Sequence, residues 1–178
     1  KKGKIEEITL DRLFLRELRE EDVNNAYVEW MNDEEVNKYL ESRFVKHSFQ
    51  DIRNYVGNMY NDPCSYLFGI FLKLDKKHIG NIKLGPISNS HKHANLGLFI
   101  GEKDYWGKGI ATEAISGVTD FAFDSLRLNK VIAGIYSDNI GSIKAFTNVG
   151  YLKEGVQKDM YMSNGVIVDN FLFSKLKK

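Results

Sequence analysis

The segment Tyr105-Trp106-Gly107-Lys108-Gly109-Ile110-Ala111-Thr112-Glu113-Ala114 joins a strand-like stretch to the longest helical signal in the chain. That signal runs over residues 109–126, where Ile110, Ala111, Ala114, Ile115, Val118, Phe121 and Ala122 share one face at helical spacing. Two glycines two apart let the backbone take positive φ and approach a ligand closely. The first turn of the helix behind them carries N–H groups without intrahelical partners and a partial positive charge, so a phosphate is the guest it suits. Two glycines alone suit a tight strand-to-helix connection without a ligand equally well, so the surroundings must decide.

Around this turn the hydrophobic period changes repeatedly. Arg12-Leu13-Phe14-Leu15-Arg16-Glu17-Leu18 alternates apolar and polar residues at most positions and predicts a first strand. Residues 20–31 place Val23, Ala26, Tyr27, Trp30 and Met31 on one helical face, with Glu20, Glu21 and Asp22 at the positive end. Residues 33–40 read as a short helix and residues 48–60 as a third, ended by Asn61-Asp62-Pro63. Three strands follow at residues 65–74, 78–88 and 94–101. Gly97 and Gly101 in the last suggest a bulge or the close approach of a ligand or another backbone. Beyond the long helix come a strand over 130–136, a short amphipathic helix over 139–149 closed by Gly150, and strands over 151–162 and 166–176 turning at Ser163-Asn164-Gly165. Runs of strands interrupted by helices indicate an α+β, or mixed α/β, layered fold.

The 178 residues suit one domain spanning residues 1–178. Lys+Arg is 25 and Asp+Glu is 24, so the net charge of +1 offers no field to gather a polyanion, and nucleic acid is not an expected partner. The one cysteine, Cys64, allows neither an internal disulfide nor a cysteine-rich zinc site, which fits a reducing, cytoplasmic compartment. No apolar run approaches the ~18 residues of a membrane span, so a membrane is not an expected partner either. Lys1-Lys2-Gly3-Lys4 has no apolar run behind it, so no secretory leader is expected there. His91 and His93 stand two apart without a third ligand and read as a loop, so no metal is expected.

Three phosphate-binding patterns compete for the glycine turn. The P-loop spacing fails. The dinucleotide fingerprint has Thr112 where its third glycine belongs, and no acidic residue ends a strand ~20 residues on. Trp106-Gly107-Lys108-Gly109-Ile110-Ala111, by contrast, resembles the acyl-coenzyme A loop of the GNAT superfamily of N-acetyltransferases, Gln/Arg-x-x-Gly-x-Gly/Ala, with Trp106 in the first position. Followed by Thr112-Glu113-Ala114, it is similar to the Rim-type branch, which acetylates ribosomal-protein α-amines. Asp138-Asn139-Ile140-Gly141-Ser142 through Gly150-Tyr151 is similar to the family's second block, Asn-x-x-Ser/Ala…Gly-Phe. The likeness is specific over residues 95–117 and 130–152.

The resemblance implies the GNAT fold, a central twisted, mixed but mostly antiparallel sheet of about six to seven strands with helices on both faces. It implies transfer of an acetyl group from acetyl-CoA to a primary amine by direct attack. The acceptor would be a protein or peptide α-amine, or a small amine such as an amino sugar or polyamine, and the enzyme a monomer or homodimer. Coenzyme contacts map to Phe99, Ile100 and Gly101, to Gly107, Lys108, Gly109, Ile110, Ala111 and Thr112, and to Asn139, Ser142 and Lys144. Asn139 equally suits a helix cap. Ser142 is the candidate for protonating the leaving thiolate. Tyr39, Arg43 and Phe44 are expected at the acceptor, with Asp159 nearby. Two departures bear on catalysis. The Tyr that many members carry seven residues after the motif Asn is Phe146, and the Rim-type strand Glu is Asn95. His91, His93, Glu102 and Glu41 remain as alternative bases, and a catalytically silent acyl-CoA-binding module remains the rival reading.

Overall fold

The computed structural model describes residues 5 and 7–178. Residues 1–4, where no leader is expected, lie outside the described residues. Among the described residues, eight strands form one sheet: β1 (Ile8–Thr9), β2 (Leu13–Glu17), β3 (Tyr66–Leu72), β4 (His78–Ser88), β5 (His93–Ile100), β6 (Lys130–Tyr136), β7 (Leu152–Ser163) and β8 (Val166–Leu176). Their order is β1-β2-β3-β4-β5-β6-β8-β7, antiparallel throughout except where β5 lies parallel to β6. This is the expected mixed, mostly antiparallel architecture, with eight strands rather than six to seven; the addition is the two-residue β1 paired to β2.

Four α-helices among the described residues cover the sheet: α1 (Asn25–Asn32), α2 (Phe49–Asn61), α3 (Ile110–Asp120) and α4 (Ile140–Asn148). The period-2 alternation of the strands sorts them into two cores. On one face Tyr66, Phe68, Ile70 and Leu72 of β3 and Ile82 and Leu84 of β4 pack with Ile110, Ala114, Ile115 and Val118 of α3 and Ala145 and Phe146 of α4. On the other, Leu67 and Phe71 of β3 meet Tyr27 and Trp30 of α1 and Ile52 and Val56 of α2. No helix among the described residues is long and apolar enough to cross a membrane.

The first half departs from periodicity. Residues 20–31 do not form one helix. A 3₁₀ turn, Glu20–Asp22, is followed by extended Val23, and Asn24 caps a fresh start by accepting from the Tyr27 N–H at 3.0 Å. Asp22 is held by Arg16 at 2.7 and 2.8 Å and accepts the Arg19 N–H, which closes the 3₁₀ turn. Residues 33–40 form turns rather than a helix, because Asp33 accepts from the N–H groups of Glu35 and Val36 and diverts the backbone. A second 3₁₀ turn, Glu41–Phe44, leads to α2. That helix starts where expected, on a Ser48–Asp51 capping box. The long helical signal over residues 109–126 divides into α3 and a π-helical turn, Phe121–Ser125. At the hairpin, Asn164 and Gly165 both take positive φ, 49° and 78°.

The feature that positions the site is a split. β5 pairs with β6 only through His93–Lys130, Ala94–Val131 and Asn95–Ile132, so the two strands part beyond Asn95.

Candidate active site

A cleft of about 1250 Å³ opens where β5 and β6 part. One end is built by the N-termini of α3 and α4, which bring Gly107, Gly109, Ile110, Ala111 and Thr112, and Asn139, Gly141, Ser142 and Lys144, into its wall. Gly107 and Gly109 take positive φ of 70° and 76°, the conformation that favours glycine, and a Cβ on Gly107 would meet nothing within 4 Å. The loop is braced from β2. Arg12 donates through Nη1 to the Lys108 carbonyl at 2.8 Å and through Nε to Glu113 at 2.8 Å. Glu113, in the first turn of α3, also accepts the Arg12 N–H at 2.7 Å. The first-turn N–H groups of α3 and α4 are thus fixed in place beside open space, which suits a pyrophosphate.

The exposed edge of β5 lies along the middle of the cleft. Gly101 N–H donates to the Ile79 carbonyl at 2.8 Å. Alternation along an antiparallel ladder then turns the amides of Phe99 and Gly97 towards β4 as well, and those of Leu98 and Ile100 towards the gap. The Ile100 carbonyl faces the same way and accepts from Trp106 Nε1 at 2.8 Å. Trp106 thereby ties the glycine loop to the strand it follows. Gly101 itself is packed away from the cleft, since a Cβ there would fall inside the Trp30 ring.

The other end is aromatic and polar. Tyr136, at the end of β6, is 5% exposed, stacks on Tyr161 at 4.6 Å and meets Tyr39 edge-on at 5.6 Å. Its hydroxyl donates to Glu41 and accepts from Arg43 Nη1 at 3.0 Å. Burial first, and the Glu41 carboxylate second, push the Tyr136 phenol up to about 12, so it is a proton donor rather than a base. Tyr39 donates to the Asp138 carbonyl at 3.1 Å. The floor includes Asn81, Lys83, Asn95 and Gly97.

The structure brings most of the expected site residues together. Phe99, Ile100, Gly107, Gly109, Ile110, Ala111, Thr112, Asn139, Ser142, Lys144 and Tyr39 line this one cleft. Asn139 also caps α4, accepting the Ser142 N–H at 3.2 Å. Lys108 does not line it; its ammonium lies over the Tyr105 ring at 5.5 Å. Arg43 stands behind Tyr136 and donates to Leu40 and Met162 carbonyls at 2.9 and 2.5 Å, a brace rather than a wall, and Phe44 is 66% exposed beneath it. Asp159 sits in the β7 bulge, where its N–H donates to Asp169. Of the alternative bases, Glu41 lines the cleft, whereas His91, His93 and Glu102 do not. Glu102 accepts from Trp30 Nε1 at 3.1 Å and Lys77 Nζ at 2.7 Å. His91 and His93 stack on each other at the opposite end of β5, 6.2 Å apart. No group of three or more His, Cys, Asp and Glu side chains among the described residues is arranged to hold a metal ion. Phe146 is 2% exposed, edge-on to Tyr151 at 5.0 Å, and has no proton to give. Tyr136, Asn81 and Arg12 were not singled out by spacing, since nothing local in the chain marks them.

A split sheet with two helix N-termini on one side and a polar, aromatic pocket on the other defines a transferase cleft for a phosphate-bearing carrier. Residues 12–152 match the family described as Acetyltransferase (GNAT) domain. The chain is 30% identical over 176 residues to p20 of Bacillus licheniformis, an uncharacterized N-acetyltransferase, and covers 98% of both chains. Its fold matches spermidine N-acetyltransferase from Vibrio cholerae, solved with CoA and spermine, with a TM-score of 0.83 at 23% identity, over 93% of this chain and 95% of that one. It also matches ribosomal-protein-S5-alanine acetyltransferase from Vibrio fischeri, with a TM-score of 0.79 at 21% identity over 97% of both chains. The chain belongs to the GNAT acetyltransferase family. It is accordingly an acetyl-CoA-dependent N-acetyltransferase.

Proposed function

We propose that the protein moves an acetyl group from acetyl-CoA to a primary amine that enters at the Tyr39–Glu41–Tyr136 end of the cleft. The observation that carries this reading is the parting of β5 from β6 beyond Asn95, with the α3 and α4 N-termini on one side and the Glu41–Tyr136 pair on the other. Acetyl-CoA supplies a thioester carbonyl, open to direct attack. The pyrophosphate suits the first-turn N–H groups behind Gly107 and Gly109. The amide nitrogen of Asn139 is free to donate to the pantetheine arm, since its oxygen serves the cap.

The attacking amine must be neutral. At pH 7 a lysine-like amine of pKa ~10.4 is neutral in about one part in 2,500, a handicap of roughly 4.6 kcal/mol, whereas an α-amine near ~8 loses only about 1.4 kcal/mol. Glu41 is placed to take the proton and, with a 62% exposed side chain, to pass it to water. Tyr136 holds Glu41 in position and stays protonated. The Leu98 and Ile100 amides face the space where a carbonyl oxygen would gain charge as the C–N bond forms and the C–S bond breaks. Phe146 stands where many members of the family carry Tyr, and a thiolate of pKa ~8.5 leaves readily near neutrality without a proton from that position. Ser142 is the hydroxyl on the α4 side of the cleft.

Thiol release from acetyl-CoA, measured with a panel of primary amines, tests the proposal. Amine-dependent release, with acetyl recovered on the amine, is the expected result. CoA binding without release for any amine would mark a silent acyl-CoA-binding module instead.

A further inference from the structure

Two anions compete for the first turn of α3. An acidic side chain there stabilises the helix, and a bound diphosphate takes the same positive end. Glu113 is that acidic side chain. Its carboxylate is drawn off towards the start of β2. Oε1 accepts the Arg12 and Leu13 N–H groups at 2.7 and 3.2 Å, and Oε2 accepts from Arg12 Nε at 2.8 Å. Among the described residues, Arg12–Glu113 is the only ion pair that reaches α3. The Glu113 side chain is 15% exposed, so solvent and salt screen its charge only in part.

The same guanidinium also acts on the glycine loop. Arg12 Nη1 donates to the Lys108 carbonyl at 2.8 Å. The Lys108–Gly109 peptide is trans, so its C=O and N–H point to opposite sides. Holding the carbonyl on the Arg12 side turns the Gly109 N–H the other way. Gly109 lines the cleft and Arg12 does not, so that N–H is turned towards the cleft.

Resting on the acetyltransferase reading above, we infer that Arg12 is the positioning residue of the diphosphate site. It touches no phosphate. It draws two negative groups, the Glu113 carboxylate and the Lys108 carbonyl oxygen, to the β2 side of the loop, and the α3 N-terminus is left to present N–H groups to the cleft. Without the guanidinium charge, Glu113 stands uncompensated in the same helical turn as a doubly charged guest and repels it. A plain brace between β2 and α3 has a different consequence, because in a brace the loss of either partner does the same harm.

Calorimetric CoA titration of the full chain and its variants separates the two. Arg12→Gln keeps a donor for the Lys108 carbonyl and removes the charge; it weakens CoA by ~10-fold or more. Arg12→Lys keeps the charge and loses less affinity than Arg12→Gln. Glu113→Gln alone does not weaken CoA. Added to Arg12→Gln, it recovers at least ~3-fold of the lost affinity, although it removes another bond of the brace. With S-acetylpantetheine, which carries no diphosphate, the fall in kcat/KM for Arg12→Gln is smaller than with acetyl-CoA. Wild-type CoA affinity in folded Arg12→Gln, or a double variant that binds CoA no better than Arg12→Gln, overturns the inference. Should Arg12→Gln not fold, Glu113→Gln alone decides: retained affinity upholds the counter-ion role, and a ~10-fold loss overturns it. A wild type that binds no CoA at all would overturn the acetyltransferase reading and this inference with it, whereas wild-type binding with insensitive variants overturns the inference alone.

Discussion

Trp106 donates its indole N–H to the carbonyl of Ile100 at 2.8 Å, and so closes the glycine loop onto the edge strand of the cleft. The position that the resemblance fills with Gln or Arg is filled here by a ring that ties strand to loop. Trp106→Phe keeps the ring and removes the bond. It should cost about 0.5–1.5 kcal/mol of stability and weaken CoA several-fold, because the loop loses its register against β5. Chemical denaturation and calorimetric CoA titration on the variant check both numbers. Unchanged CoA affinity would show that the loop needs no such tie.

Gly109 takes a φ of 76° with Arg12 Nη2 3.4 Å from where a Cβ would sit. Gly109→Val should strain the turn and turn a side chain into the phosphate approach, which weakens CoA by more than tenfold. The fold, held by two cores that Gly109 itself does not enter, should stay cooperative. Ala111→Asp should act in the same direction by placing a carboxylate at the helix start. Wild-type CoA affinity in folded forms of both is the outcome that would count against the phosphate role.

Glu41→Gln should lower kcat by ~10²-fold or more if Glu41 receives the amine proton. Asn95→Ala should change it by less than ~10-fold, since an amide is no base. Steady-state rates on the two variants, with CoA affinity measured beside them, decide between these positions.

Tyr136 supplies a sign that can be checked in alkali. Its phenol is raised in the fold to about 12, so its contribution to stability is fully present below the unfolded value near ~10 and is lost as pH rises through about 12. The stability gap between wild type and Tyr136→Phe should therefore narrow across that window. Denaturation of the pair at pH 8, 10 and 11.5 measures it; a constant gap would contradict the raised phenol.

His78 has the opposite sign. Burial lowers its imidazole, against the upward pulls of Asn81, Gly80 and Asp22. The neutral ring is the one the fold favours, so its contribution is present above the ordinary value near ~6.5 and is lost as pH falls towards the folded value. The wild type should lose more melting temperature between pH 7.5 and 5 than His78→Phe does. An equal loss in the two proteins would show that His78 carries none of the acid sensitivity.

Much of this molecule can be read from its chain because the signals are local. β4 and β6 fall on residues 78–88 and 130–136 as periodicity places them, and the glycine loop, the Asn139 cap and the Asn164-Gly165 turn are each written in adjacent residues. The segment before α2 is not legible in that way. Side-chain to backbone bonds at Asp22, Asn24 and Asp33 break up a helical period that the apolar residues alone would support. The chemistry of the cleft escapes for a different reason. Glu41 meets Tyr136 across 95 residues and Arg12 meets Glu113 across 101. Only the folded sheet brings such residues together, so no spacing announces them.

The central claim is that the opening between β5 and β6 is a coenzyme cleft. Thermal or chemical unfolding with and without CoA tests it most directly. At a hundredfold excess over Kd, CoA should stabilise the wild type by about 2.7 kcal/mol, and Gly109→Val should lose most of that gain. A wild-type unfolding transition that saturating CoA leaves unmoved would contradict the claim.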